Sequence, residues 1–375
     1  MEYIVIILYC VTLLLIFMFS LGQLNLTWHY LKSKKEHKPT DAGKSMTDQP
    51  AVTVQLPVYN EKYVVERLID AVCQFDYPAN LLEIQVLDDS TDETVDIIAA
   101  KVKAWQDKGV DVKHVRREGR EGFKAGALQY GLDNSKGDYI AIFDADFLPK
   151  KDFLKRTLAV FDDEIGLVQT RWGHLNKDYS MLTRLQAFGL DAHFSIEQTG
   201  RSHAGSFINF NGTGGIWKKE CIYDAGGWSA DTLTEDLDLS YRAQMKGWKF
   251  KYMEDCVAPA ELPVIMPAIK SQQYRWNKGA AETAKKNLGK VLRSDILLGN
   301  KLHAAFHLFN SSIFVCLLIA SILSIPMLFI KDANPKLEIL FDLGSIFLIG
   351  FFSIAFFYWI ASEYSKSKQS EGKQK

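Results

Sequence analysis

The hydrophobic pattern divides the chain into three long apolar runs and a middle region where short apolar segments alternate with amphipathic ones. The runs are Tyr3 to Trp28, His303 to Ile330 and Leu343 to Ser362, and none contains Asp, Glu, Lys or Arg. Each is long enough to cross ~30 Å of hydrocarbon as a helix. A secretory signal is the competing reading of the first run, but the run is too long for one and no basic residue precedes it, so we read a retained anchor. The pattern therefore predicts a span over residues 1–28, a basic and polar linker over 29–50, a folded domain over 51–300, spans over 301–330 and 339–362, and a polar tail over 363–375.

Within the folded domain, "AVTVQLP" (Ala51 to Pro57), "EIQVL" (Glu83 to Leu87) and the short "DVKHV" (Asp111 to Val115) predict strands, and "YIAIF" from Tyr139 predicts a fourth, buried on both faces. Helices are predicted from Glu61 to Phe75, with Val64, Val65, Leu68, Ile69 and Val72 on one side, from Asp92 to about Gln106, and around Gly122 to Leu132. Such alternation argues for an α/β fold with a mostly parallel sheet covered by helices on both faces. In such sheets ligands bind outside the carboxyl ends of the strands.

Three polar sets fall at those ends: Pro57-Val58-Tyr59-Asn60-Glu61, Asp88-Asp89-Ser90-Thr91-Asp92 and Asp144-Ala145-Asp146. Each has an ordinary structural explanation. Asn60 could cap a helix, Asp89 or Ser90 could cap the next, and the two aspartates of "FDADF" could open a solvated turn before Pro149. All three on one rim suggest more. Two carboxylates one residue apart at the end of a buried strand repel each other and cost desolvation, so a compensating group is expected. Mg²⁺ or Mn²⁺ is one candidate, because these ions prefer oxygen ligands and often bridge one or two carboxylates to substrate phosphates.

Farther on, "TLTEDLDLSYRAQMKGW" opens with Thr232-x-x-Glu235, a capping-box pattern, and continues as a helix carrying Leu237, Leu239, Tyr241 and Met245. Acids at a helix start stabilise its dipole by ~0.3–1 kcal/mol and need no chemical role. The same position favours the ionised form of Asp236, as a general base acting on a hydroxyl requires.

Charge and composition narrow the classes. With 44 basic and 45 acidic residues there is no sign of nucleic-acid binding. No G-x-G-x-x-G follows the first strand and no G-x-x-x-x-G-K-[ST] occurs, so dinucleotide oxidoreductases and P-loop enzymes lose support. Lysines cluster after the first apolar run (Lys32, Lys34, Lys35, Lys38) and after the third (Lys366, Lys368, Lys373, Lys375), while Lys331 to Glu338 is balanced. The positive-inside rule then places the middle domain and tail in the cytosol, in the inner or plasma membrane, with the amino terminus outside. Cys10, Cys73, Cys221, Cys256 and Cys316 show no C-x-x-C spacing, in keeping with a cytosolic domain that needs neither disulfide nor zinc.

The motifs "QLPVYNE", "VLDDSTDET", "KAGAL", "IFDADF", "FNGTGGIWKKE", "GGW", "TEDLDLSYRAQMKGWK" and "QQYRW", in this order, resemble the family-two glycosyltransferases of the cellulose synthase superfamily. "QVLDDSTD", "HFSIEQ", "FNGTGG" and "ELP" look most like the cellulose synthase-like A group, the mannan and glucomannan synthases, and their bacterial relatives. The likeness covers about Val52 to Gly279 and the membrane arrangement is similar. It implies a Rossmann-like, nucleotide-diphospho-sugar transferase fold of GT-A type with transmembrane helices.

The resemblance also implies roles. Asp88 and Asp89 would contact the base and ribose of a nucleotide sugar, with Lys124 nearby. Asp144 and Asp146 (the D-x-D motif) would bind Mg²⁺ or Mn²⁺ and the diphosphate, and Asp236, beside Glu235 in "TED", would be the catalytic base. Gln272, Gln273, Arg275 and Trp276 of the Q-x-x-R-W-type motif would form the acceptor end, Arg275 also serving the leaving diphosphate. Read without the resemblance, Trp276 is an interfacial anchor. The expected enzyme is inverting and metal-dependent, moving a hexose from GDP-mannose or UDP- or GDP-glucose to a growing β-linked polysaccharide. A lipid glycosyltransferase similar to ceramide glucosyltransferases and a catalytically silent nucleotide-sugar sensor are the alternatives. Polymer synthases of this superfamily usually carry more carboxyl-terminal spans, so the resemblance leaves open a shortened chain, pairing with copies of itself or further membrane subunits, and transfer without extrusion.

Overall fold

The computed structural model describes residues 2–36, 49–334, 337, 341–342 and 344–373, with backbone alone for 366–373. Most of the linker expected over 29–50, including Lys38, lies outside the described residues, as do the side chains of Lys366, Lys368 and Lys373 and all of Lys375.

In chain order, helix α1 (Glu2–Glu36) is followed by β1 (Val52–Val58), α2 (Val65–Cys73), β2 (Leu82–Asp88), α3 (Thr94–Gln106), β3 (Val112–Val115), α4 (Phe123–Asp133) and β4 (Tyr139–Ile142). Next come α5 (Phe153–Leu158), β5 (Ile165–His174), α6 (Met181–Asp191), α7 (Gln198–Ala204), β6 (Gly215–Lys218), α8 (Lys219–Asp224), α9 (Glu235–Met245) and β7 (Lys249–Ala260). Helices α10 (Met266–Arg293), α11 (Leu298–Leu308), α12 (Ser312–Ala333) and α13 (Leu348–Lys373) complete the chain. Two compact units result: Glu36–Leu190 with Phe207–Ser294, and Met1–Lys35 with Asp191–Ser206 and Asp295–Lys375.

The first unit holds a seven-stranded sheet in the order β3-β2-β1-β4-β6-β5-β7 among the described residues. β1 pairs in parallel with β2 and β4, and β2 with β3, while β6 runs antiparallel to both β4 and β5. Of the segments read as strands, β2, β1 and β4 lie inside the sheet and β3 forms one edge. Val54 and Leu56 are fully buried on one face; on the other, Thr53 and Gln55 are buried too and pair in register with Glu83 and Gln85. The Thr53 hydroxyl donates to Glu83 (2.7 Å) and the Gln55 amide N–H to Gln85 (3.2 Å), so these buried donors are bonded. Helices α2, α3 and α5 cover one face, with Leu68, Ile98, Phe143 and Phe153 in its core. Helices α4, α8 and α9 cover the other, with Leu128, Trp217 and Leu239.

The differences from the sequence expectation have local causes. α2 begins at Val65, four residues later than expected: the Glu61 carbonyl accepts from Val64 and Val65 N–H (3.1 Å each) in a turn, but Val64 at φ −125° interrupts the helical backbone. The antiparallel β6 was not anticipated, nor were β5 and β7. β6 matters most here: running against β4, it places its own entry loop, Phe207 to Gly214, beside the carboxyl end of β4. Gly214 N–H closes the junction on the Ile142 carbonyl at 2.9 Å.

In the second unit, among the described residues, three helices are long and apolar enough to cross a membrane: Glu2–Glu36, Ser312–Ala333 and Gly344–Ser365. The first runs beyond the span expected over 1–28. The run expected as one span over 301–330 is instead two helices, α11 and α12, broken at the polar Asn310-Ser311-Ser312, where Ser312 bonds back to the Phe309 carbonyl through both N–H (2.8 Å) and hydroxyl (2.7 Å). The residues expected as the polar tail, 363–375, continue α13 as far as Lys373. Gln23 of α1 donates to the buried Glu197 at 2.8 Å, tying α1 to the 191–206 segment of its own unit.

Candidate active site

The three polar sets converge. Asn60 N–H donates to the Ser90 hydroxyl (2.9 Å) and Thr91 N–H to the Asn60 side-chain oxygen (2.9 Å), so the loops after β1 and β2 are bonded to each other. Asp89 N–H reaches the Val58 carbonyl at 3.0 Å. Neither Asp89 nor Ser90 caps α3; Asp92 accepts from Thr94 N–H at 3.0 Å instead.

Asp88 and Asp89 are already satisfied by the protein. Asp88 accepts from Ser90 N–H (2.8 Å) and lies 2.7 Å from His114 Nε2. Burial alone would raise its carboxyl, but the bonds from His114 and Ser90 outweigh this and hold it below the usual range. Asp89 is gripped by the Arg117 fork, Nε at 2.8 Å and Nη2 at 2.6 Å, a bidentate pair of the strong kind. Arg120, on the same loop, stacks 3.3 Å from the centroid of Tyr59. The sequence reading placed Tyr59 at the rim without a role and missed His114, Arg117 and Arg120. Nothing in their spacing marks them, although three arginines in five residues after β3 (Arg116, Arg117, Arg120) were a signal at a strand end.

The second cluster is different. β4 stops at Ile142, Phe143 is fully buried, and Asp144 and Asp146 lie in a turn closed by Phe147 N–H on the Asp144 carbonyl (3.1 Å). The turn alternative is correct as local geometry and is compatible with a ligand role. Lys124 Nζ sits 2.5 Å from Asp144 Oδ1 and donates to the Gly212 carbonyl at 3.0 Å. Gly212 has φ +79°, and a Cβ there would come within 3.1 Å of Asp236 Oδ2 and 3.4 Å of Lys124 Nζ. The loop before β6 is thus wedged between the aspartates after β4 and the start of α9. Thr213 completes the wedge, its hydroxyl accepting from Asp144 N–H at 2.9 Å.

Helix α9 starts at Glu235, and the expected capping box is not formed. Thr234 occupies the cap position without bonding the helix, its hydroxyl lying 3.2 Å from that of Thr283 on α10, while Thr232 bonds the Thr234 carbonyl. Asp236 Oδ1 accepts from Leu237 N–H at 2.8 Å. Burial and the charge of Glu235 push the Asp236 carboxyl up to about 7, with Lys124 pulling the other way. Burial also raises Glu235. Burial, then Asp144 and Glu61, push Asp146 up to about 7. Burial, Asp144 and Asp92 raise Glu61, a member of the first polar set with no individual role read from the sequence. Burial alone would lower the Lys124 ammonium, but Asp144, Glu235 and Asp236 outweigh it and raise it. One ammonium therefore faces Asp144, Asp146, Glu235 and Asp236, with Glu61 close to Asp144 and Asp146, and perturbed groups gathered in one cleft are a physical mark of function.

The carboxylate oxygens of Asp144 and Asp146 suit a hard cation such as Mg²⁺ or Mn²⁺. Among the described residues no three His, Cys, Asp or Glu side chains are grouped to hold an ion, so a cation here would need oxygens from a substrate to fill its shell.

Gln272, Gln273, Arg275 and Trp276 lie on one stretch of α10, which belongs to the same unit. Arg275 is exposed and donates to Ser271 Oγ at 3.2 Å; among the described residues no hydrogen bond or ion pair joins these four side chains to Asp144, Asp146, Glu235 or Asp236. The link is through the helix. One turn beyond Trp276, Gly279 packs on Thr234, where a Cβ would meet Thr234 Cγ2 at 2.5 Å and its backbone nitrogen at 2.9 Å. Fully buried Asp238 of α9 binds Asn287 (2.8 Å) and Lys286 (2.9 Å) of α10 and Arg242 (2.8 Å) of its own helix. The helix carrying "QQYRW" is thereby clamped to the helix carrying Asp236.

A mostly parallel mixed sheet with acids gathered at its carboxyl edge is the architecture of GT-A glycosyltransferases. Residues 50–279 match the profile of glycosyltransferase-like family 2, and the chain belongs to that family. It is 37% identical to a probable glucomannan 4-beta-mannosyltransferase 4 of Oryza sativa subsp. japonica, over 84% of this chain and 62% of the relative. It is 43% identical to glucomannan 4-beta-mannosyltransferase 7 of Arabidopsis thaliana, over 66% of this chain and 45% of the relative. The chain spans about half the length of the curated relatives it matches. Among solved structures, a mannosyltransferase from Pyrobaculum calidifontis in complex with GDP-Man and Mn²⁺ superposes with TM-score 0.64 at 22% identity, covering 95% of this chain and 98% of the other. S. aureus TarS 1-349 in complex with UDP-GlcNAc superposes with TM-score 0.52 at 16% identity, covering 70% and 72%. Both likenesses establish the fold.

Proposed function

We propose that the protein is a membrane-bound inverting hexosyltransferase that moves a sugar, mannose or glucose, from a GDP- or UDP-linked donor to a growing β-linked polysaccharide. The observation that carries this reading is the meeting of Lys124, Asp144, Gly212 and Asp236 in one cleft. The names of the relatives favour a mannosyl donor and a polysaccharide acceptor over a lipid acceptor. With its amino terminus outward, the anchor would leave the sheet-bearing unit in the cytosol, where nucleotide sugars are made.

In this reading the nucleotide lies along the rim, its ribose and base toward Asp88 and Asp89 and the Tyr59–Arg120 stack. Asp144 and Asp146 hold a divalent cation, which supplies charge neutralisation for the diphosphate. Asp236 takes the proton of an acceptor hydroxyl as that oxygen bonds to the anomeric carbon from the face opposite the departing nucleoside diphosphate. The bond from that carbon to the phosphate oxygen breaks in the same displacement, so an α-linked donor yields a β-glycoside. Glu235 keeps Asp236 basic by its charge, and a raised carboxyl is better matched to a proton transfer near neutral pH. Trp276 offers a flat face to an acceptor ring, Gln272 and Gln273 polar contacts, and Arg275 a cation for the leaving group.

The test is to offer membranes carrying the protein labelled GDP-mannose, GDP-glucose, UDP-glucose and UDP-N-acetylglucosamine in turn, with and without EDTA, and to size the product. Label in an alkali-stable polymer of β-linkage supports the reading. Label extracted with lipid would move the acceptor assignment, and no transfer or hydrolysis from any donor would leave a nucleotide-sugar sensor.

A further inference from the structure

We propose that Lys124 is a placeholder for the divalent cation: in the donor-free site its ammonium holds Asp144 and keeps the ion from binding until a diphosphate arrives to draw the lysine away. The inference rests on the preceding reading that Asp144 and Asp146 hold a metal, and adds how that site is regulated.

Three observations carry it. First, Lys124 is set in place by its backbone. It follows Gly122 (φ +68°) and Phe123 (φ 48°), both left-handed, at the start of α4. Gly126, one turn on, packs so tightly on the Glu121 carbonyl and Arg117 that no side chain fits there. Phe123 in that conformation is strained, and such strain persists only where the surrounding structure enforces it. Second, the ammonium satisfies one acid and leaves the rest. Asp144 takes it at 2.5 Å, and no ion pair reaches Asp146, Glu235 or Asp236 among the described residues. Third, the described residues offer no three-ligand group, so an ion entering alone would have at most two carboxylates, one of them occupied and both facing the repulsion of the lysine.

A diphosphate changes both terms. Its oxygens complete the shell of the ion, and its charge offers Lys124 a second anionic partner, which frees Asp144. Ion and nucleotide then bind together more tightly than either binds alone, a reciprocal coupling between two ligands. A lysine that served only as a fixed phosphate contact would strengthen nucleotide binding without weakening that of the bare ion.

The experiment uses the full chain in detergent or nanodiscs, with Mn²⁺ binding followed by the electron paramagnetic resonance of the free ion, alone and with GDP or UDP. The wild type is expected to bind Mn²⁺ weakly alone and about tenfold or more tightly with the nucleotide; Lys124→Gln is expected to bind Mn²⁺ alone about tenfold more tightly than wild type and to lose most of the coupling, while Lys124→Arg keeps both wild-type features. A folded Lys124→Gln protein, judged by its melting curve, that binds the bare ion no better than wild type overturns the proposal. The wild type supplies a reading that does not depend on the variant folding: Mn²⁺ and nucleotide binding that is merely additive overturns it as well. If no nucleotide promotes Mn²⁺ binding and none binds in any variant, the metal assignment of Asp144 and Asp146 fails, and the placeholder with it. Coupling that survives intact in Lys124→Gln leaves the assignment standing and removes only the placeholder.

Discussion

Two acidic clusters share the rim of the sheet, and they are built in opposite ways. Asp88 and Asp89 each have their own partners, His114 and Ser90 for one and the Arg117 fork for the other. Among the carboxylates after β4 and at the start of α9, Lys124 pairs with Asp144 alone, and burial with neighbouring acids pushes Asp146 and Asp236 up to about 7. A carboxylate that the protein has fully paired holds a loop in shape and presents its remaining lone pairs at a fixed place. A carboxylate left short of partners is poised to take a proton or a cation. On the proposed function, the first cluster would serve scaffolding and donor recognition and the second the chemistry.

The contrast can be broken most severely at Asp236. Asp236→Asn should bind donor normally and lose ~10²–10⁴-fold in transfer rate, read as kcat against donor affinity from isothermal titration; near-wild-type turnover would take the base from this residue. In the paired cluster the loss should appear in folding instead. Arg117→Met leaves Asp89 buried without its fork and should lower stability by about 3 kcal/mol, seen in the denaturant midpoint. An unchanged midpoint with impaired turnover would reverse the assignment of the two clusters.

Gly212 joins both kinds of effect. Gly212→Ala forces a side chain into the left-handed region at about 1–2 kcal/mol and crowds Asp236, so stability and rate should fall together. The smallest effect sharpens the comparison through pH. A carboxyl raised in the folded state favours folding at low pH and loses that contribution as pH rises through its folded value, here about 7 for Asp236. Asparagine mimics the neutral form and has no such loss. The melting temperature of Asp236→Asn, measured without metal or nucleotide, should equal that of wild type near pH 4, gain on it from there to about 7, and hold a constant lead above. A lead that does not change with pH would mean that Asp236 is not titrating over this range.

The parts of this arrangement that the sequence discloses are those encoded over short distances. β1, β2 and β4 are apolar runs ending in polar clusters, and strand ends in a mostly parallel sheet must share an edge. What stayed hidden depends on long-range meetings. Lys124 finds the Gly212 carbonyl across 88 positions, and Asp236 lies against Gly212 only because β6 runs antiparallel and delivers its entry loop to the end of β4. Four residues, "GIWK", after a glycine-rich loop carry too little periodicity to announce a strand, still less its direction. The missing capping box has a local cause: the helix starts at Glu235, two residues later than Thr232-x-x-Glu235 implies, and the Thr232 hydroxyl donates to the Thr234 carbonyl instead.

The contact of Gly279 on Thr234 gives residue size an unexpected leverage. A methyl group at 279 would act as a shim between α9 and α10, prising the helix that carries Trp276 from the one that carries Asp236, with no polar group altered. On the proposed reading, the spacing of Trp276 from Asp236 is in that sense set by a hydrogen atom, and a change of one carbon there would retune which sugar ring can lie between them.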